Sequence, residues 1–168
     1  MRRYQWALLV VLSLSLFAPA ASAQSFIANL TGAQEVPPAD PDGTGTATID
    51  ILGTTVNYTI IVANITPPIA QHIHIGPAGV NGPIVVNLPG TWVGNTLVGS
   101  TTTDTATAAA IAANPSGFYV NVHTNDFPGG AVRGQLVRLN TAVPALSGWA
   151  IAALALALAG VAIVALKL

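Results

Sequence analysis

The only three histidines of the chain fall in two short segments, Gln71-His72-Ile73-His74-Ile75-Gly76-Pro77 and Tyr119-Val120-Asn121-Val122-His123-Thr124. A strand turns successive side chains to opposite faces, so His72 and His74 share one face while Ile73 and Ile75 share the other. In the second segment Phe118, Val120 and Val122 form one face and Tyr119, Asn121 and His123 the opposite one. With both apolar faces turned to a core, the histidines point away from it. They converge only if the two strands are neighbours or a loop folds over them. A His-x-His pair and a distant third His can offer three neutral imidazoles to zinc or copper, with a carboxylate or water completing the shell. Glu35 and Asp126 are the available carboxylates. The competing reading is structural, with the imidazoles donating to backbone carbonyls and pinning the Gly76-Pro77-Ala78-Gly79 and Gly129-Gly130 loops. Ring nitrogens about 3 to 3.5 Å apart would favour the ion, because its ligands lie about 2 Å from it.

Other chemistry is sparse. With no cysteine there are no disulfides, thiolate nucleophiles, iron-sulfur clusters or Cys-ligated zinc. There is no Gly-x-Ser-x-Gly elbow and no plausible pair of acid/base carboxylates, so a non-enzyme is expected. A dismutase-like metalloenzyme is the less favoured alternative, since it needs a fourth strong ligand and a second shell that three histidines do not supply. Glu35, next to Pro37-Pro38, is expected to accept backbone N–H bonds at a turn, and Arg133 to hold Glu35 or Asp126 bidentately. Residues 24–141 carry six acids against Arg133 and Arg138, a formal charge of −4. Nucleic acid is excluded as a partner, because counterion release needs clustered cations.

The elements that would position these groups read as a small all-β domain. Ala47–Ile51 and Val56–Val62 alternate apolar with polar around Leu52-Gly53-Thr54-Thr55, which signals a hairpin. Further strands are expected at Phe26–Leu30, Ala70–Ile75, Ile84–Leu88, Phe118–Thr124 and Val132–Leu139, separated by turn clusters. Seven short strands suit a sandwich. Asp104 caps a Thr/Ala-rich helix through Ala113 that Asn114-Pro115 stops. The Thr/Gly-rich stretch Gly90–Thr103 reads as a mobile loop.

A chain that is 52% hydrophobic and only 7% charged is too apolar for a single soluble globule, and the excess lies at its ends. Arg2-Arg3, the apolar run Trp6–Phe17 and Ala21-Ser22-Ala23 form a secretory signal peptide over 1–23, giving a mature start at Gln24. Trp149–Leu166 is apolar on every face and as a helix would rise about 27 Å, enough to span a bilayer. With Lys167 inside, the domain is expected on the extracytoplasmic side, anchored to the membrane or released to the surface or medium after tail processing.

The blocks Phe26-Ile27-Ala28-Asn29-Leu30-Thr31-Gly32-Ala33-Gln34-Glu35-Val36-Pro37-Pro38, Gln71–Pro83, Tyr119–Thr124 and Gly130–Leu136 occur in an order that resembles the CHRD (chordin-type) domain. That resemblance covers residues 25–139. It implies an immunoglobulin-like or superoxide-dismutase-like β-sandwich or barrel, the dismutase ligands also including a His-x-His strand, in an exported bacterial protein with no assigned activity. Ala131 stands where an acidic residue is usual. Val143-Pro144-Ala145-Leu146-Ser147-Gly148-Trp149 and the apolar run after it are similar to IPTL-CTERM sorting signals, with 142–148 as a linker. The expectation from all of this is a non-enzymatic cell-envelope module for adhesion, assembly or ligand binding, tethered by a C-terminal helix. Its partners would be the membrane and an envelope protein or polysaccharide. Metal binding through His72, His74 and His123 is the alternative.

Overall fold

The computed structural model describes residues 23–139. The signal peptide (but for Ala23), the linker and the transmembrane helix expected from sequence lie outside the described residues. Among those described, no helix is long and apolar enough to cross a membrane.

Nine strands form a single sheet: β1 (Gln24–Thr31), β2 (Thr44–Leu52), β3 (Thr55–Ala63), β4 (Pro68–Ile75), β5 (Ile84–Asn87), β6 (Thr96–Thr102), β7 (Phe118–Thr124), β8 (Val132–Gln135) and β9 (Val137–Arg138). Their spatial order is β5-β4-β7-β8-β1-β2-β3-β6, with β9 also beside β1, and every pairing is antiparallel. The expected hairpin is present. Leu52 pairs with Thr55 across a two-residue turn in which Gly53 takes a φ of 61°, a left-handed conformation that glycine reaches without Cβ strain. Alternation then turns Ala47, Ile49, Val56, Tyr58 and Ile60 inward together, where they join Phe26, Leu30, Ile73, Leu97, Val120 and Val122 in one core.

The two edge strands of this order, β5 and β6, are consecutive in the chain, and residues 88–95 carry it from one edge to the other. Along the way Leu88 N–H donates to Gln71 O on β4 and Asn95 O accepts from Val62 N–H on β3. The Tyr58 hydroxyl donates to Pro89 O. The sheet is thereby almost closed into a barrel. Helix α1 (Thr105–Ala113) packs Ala108 and Ile111 onto the core. As expected, Asp104 caps it, accepting from Thr107 N at 2.9 Å and from the Thr107 hydroxyl at 2.6 Å.

Two expectations need correction. Gly90–Thr103 is not one mobile loop, because Thr96–Thr102 is β6, paired with β3 at seven positions from Thr55↔Thr102 to Ile61↔Thr96. Its alternation is muted because only Leu97 is fully buried, while the outer face is threonine, serine and an exposed Val98. β-branched threonine nevertheless suits a half-exposed strand. The single strand expected over Val132–Leu139 is two, since β8 lies between β7 and β1 whereas Val137 and Arg138 pair with β1 alone, the β7 side ending at buried Leu136, whose N–H donates to Phe118 O.

Candidate metal centre

The register of three adjacent strands builds the site. β4 runs beside β7 with Ala70↔His123, His72↔Asn121 and His74↔Tyr119 opposite one another, and β7 runs beside β8 with Asn121↔Arg133 and Tyr119↔Gln135. Period-two alternation then puts His72, His74, Tyr119, Asn121, His123 and Arg133 on the face away from the core. Most of that face is covered, His72 being half-buried. Every residue of β7 is buried, as are His74 and His123, because the loops after β1, β4 and β7 fold over it. The condition set by the sequence, neighbouring strands or a covering loop, is met in both ways.

The three histidines, each through one ring nitrogen, come within 4.8 Å of one another. One pair, His72 Nδ1 and His123 Nε2, is 3.2 Å apart, a hydrogen-bond distance that also falls within the spacing two ligands of one ion would have. His74 Nδ1–H donates to Gly82 O at 2.9 Å and His123 Nδ1–H donates to Pro128 O at 3.0 Å. A neutral imidazole that spends its one N–H in this way keeps a lone pair on Nε2. His74 Nε2 is buried and has no hydrogen-bond partner, while His123 Nε2 accepts from His72 Nδ1–H, a proton that an ion would displace. Backbone carbonyls holding the remote ring nitrogen are how proteins orient metal-binding imidazoles. The same bonds also pin the loops, as the structural reading expected, so the two readings describe one arrangement.

The electrostatics keep the rings in the ligand form. Burial, then the neighbouring imidazoles of His123 and His74, push His72 down to about 4. Burial also lowers His74 and His123, against the opposing pull of their carbonyl acceptors. Three neutral imidazoles, among them His74 with an orphaned Nε2 opposite its carbonyl-bound Nδ1, fit zinc or copper. Neither Glu35 nor Asp126 belongs to the cluster, which among the described residues is His72, His74 and His123 alone, so the carboxylate ligand suggested by sequence is not supplied.

Behind His74 lies a stack that the sequence did not announce. Tyr119 lies against the His74 ring at 4.9 Å and 11° from parallel, and the Arg133 guanidinium sits 4.7 Å from the Tyr119 ring centre. Gly82 ties the first two together, its N–H donating to the Tyr119 hydroxyl and its carbonyl accepting from His74. A Cβ at Gly82 would run into the carbonyl of Ile75. The run Gly76–Pro83 signalled a shaped loop, but only the register reveals that it clasps a histidine and a tyrosine.

Arg133 is 1% exposed, and the sequence misjudged its partners. It donates to Gln34 O through Nε and to Asn81 Oδ1 and Val80 O through Nη1. Glu35 Oε2 is 4.0 Å from Nε, so the pair is adjacent but not bidentate. Nor does the Glu35 carboxyl accept backbone N–H bonds, since Oε1 is buried without a partner. Burial, partly offset by Arg133, raises its pKa to about 7.

No curated protein and no solved structure shows significant similarity to the chain. Residues 141–167 match the IPTL-CTERM motif, and residues 26–136 match the CHRD domain. The domain and the sorting motif together mark an exported, surface-associated module. The match takes in all three histidines, the covering loops and most of the 168 residues, and the chain belongs to the CHRD domain family.

Proposed function

We propose that the chain is a non-enzymatic module of the cell envelope, tethered by its apolar C-terminal segment, whose domain holds one zinc or copper ion on His72, His74 and His123. The observation that carries the metal reading is the pairing of a buried, partnerless His74 Nε2 with a His72–His123 nitrogen contact of 3.2 Å. The His74 and His123 rings are oriented by carbonyls of the covering loops, so two of the three donors are aimed before any ion arrives. An ion held this way would brace β4, β7 and their loops, adding to stability by mass action. The lack of any cysteine and of a Gly-x-Ser-x-Gly elbow supports a binding role over a catalytic one.

The test is metal content and intact mass of the protein recovered from the envelope of an exporting host. Near-stoichiometric zinc or copper in the wild type, none in His74→Ala, and a mature N-terminus at Gln24 are expected. Equal metal content in the two proteins would refute the site, and a chain still carrying residues 1–23 would refute the export reading.

A further inference from the structure

A second concavity lies where β3 ends, β4 begins and the 88–95 connection crosses between them. It encloses about 560 Å³, within the range of small-ligand sites, and its walls include Asn64, Ile65, Pro67, Pro68, Trp92 and Asn95. None of its lining residues is charged, although the domain as a whole is acidic. Trp92 packs against the core, and its indole N–H donates to Gln71 Oε1 at 3.1 Å. Gln71 is itself anchored by donation to Leu88 O. The indole plane is therefore held at two removes from the backbone and cannot turn freely.

On either side stand two exposed amides with spare capacity. Asn64 holds a left-handed φ of 58° and donates through Nδ2 to Asp42 O at 3.3 Å, leaving Oδ1 to accept. Asn95 accepts the Thr96 hydroxyl at 3.4 Å on Oδ1, leaving Nδ2 to donate. The backbone bond from Val62 N–H to Asn95 O holds the two segments side by side. A fixed aromatic wall, proline edges, one free acceptor and one free donor, with no charge, suit a ligand with an apolar ring face and paired neutral hydroxyls. An amine, a uronate or a phosphate would find no counter-charge, and leaving a charge unpaired in such a site is costly.

We infer that this groove binds a neutral glycan, with one sugar ring stacked on Trp92 and its hydroxyls bridged by Asn64 and Asn95. The inference does not depend on the metal reading, because no histidine lines the groove.

Tryptophan emission of the full chain, titrated with cellotriose, triacetylchitotriose and, as the charged comparator, trigalacturonate, tests it. Trp6 and Trp149 also emit, so Trp92→Phe is run in parallel to assign the signal. At least one neutral trisaccharide should give a saturable change that trigalacturonate does not give and that disappears in Trp92→Phe. The double variant Asn64→Gly, Asn95→Ala, in which glycine keeps the left-handed backbone at 64 and both positions are exposed, should melt like the wild type yet bind about tenfold more weakly by calorimetry. Saturation by neither neutral sugar, equal binding of trigalacturonate, or unchanged affinity in the double variant would overturn the assignment.

Discussion

Acid should weaken the metal-free domain, and the histidine face should be the reason. In an unfolded chain an imidazole takes up its proton near pH 6.5, whereas His72 in the fold resists protonation down to about 4, first through burial and then through His123 and His74. Between those values the unfolded state binds more protons, so stability falls as pH falls through this window. At 1.36 kcal/mol per pH unit the difference is worth at most ~3.4 kcal/mol, and solvent screening at this partly exposed ring brings it to about 1–2 kcal/mol. His74 and His123 are lowered too and act in the same direction. Glu35 acts oppositely. Its carboxyl, raised to about 7, keeps its proton in the fold where the unfolded chain has lost it, so it adds stability as pH falls from 7 towards 4.5. One carboxyl against three imidazoles leaves a net loss below pH 6.5. Urea unfolding with a chelator present, from pH 7.5 to 4.5, reads this directly. The wild type should lose stability on acidification, His72→Asn should lose about 1–2 kcal/mol less over the same interval, and Glu35→Gln should lose more. A level wild-type curve, or a His72→Asn curve parallel to it, would show the reasoning to be wrong.

Other outcomes follow from single contacts. Gly82→Ala forces a methyl into the Ile75 carbonyl and displaces the loop that clasps His74 and Tyr119, so it should destabilise by about 2–4 kcal/mol and lower metal occupancy, read by melting and metal analysis. Tyr119→Phe keeps the stack on His74 but leaves the Gly82 N–H without its acceptor, for a loss of about 1 kcal/mol in urea unfolding with metal occupancy retained. Asp104→Ala removes the cap of α1 and should lower the melting temperature without altering metal content, separating general stability from the site. Adding zinc or copper at about one hundred times its dissociation constant should raise wild-type stability by about 2.7 kcal/mol and leave His74→Ala unmoved, as followed by thermal melts.

Local order in the chain was sufficient for the secondary structure wherever one residue type dominates a face. The β2–β3 hairpin was legible from its alternation and from Gly53, β7 from Phe118, Val120 and Val122, and α1 from Asp104 at one end and Asn114-Pro115 at the other. β6 escaped because a threonine-rich edge strand with one buried leucine has almost no hydrophobic period to read. The break between β8 and β9 escaped because a strand that loses one of its two neighbours keeps its extended backbone, and only pairing partners distinguish the halves.

Residue type and spacing were enough to establish which side chains could bind a metal, that all three histidines lie on strand faces opposite the core, and that cysteine chemistry is absent. Tertiary structure alone decided that β4 and β7 are neighbours in the register that brings His72 to 3.2 Å from His123. It also decided that Gly82 and Pro128 carbonyls orient the rings, and that Arg133 looks to Gln34, Val80 and Asn81 rather than to a bidentate carboxylate. The reason is that period and residue type are local properties of a chain, whereas distances between ring nitrogens 51 residues apart depend on strand order and loop closure, which only the completed barrel fixes.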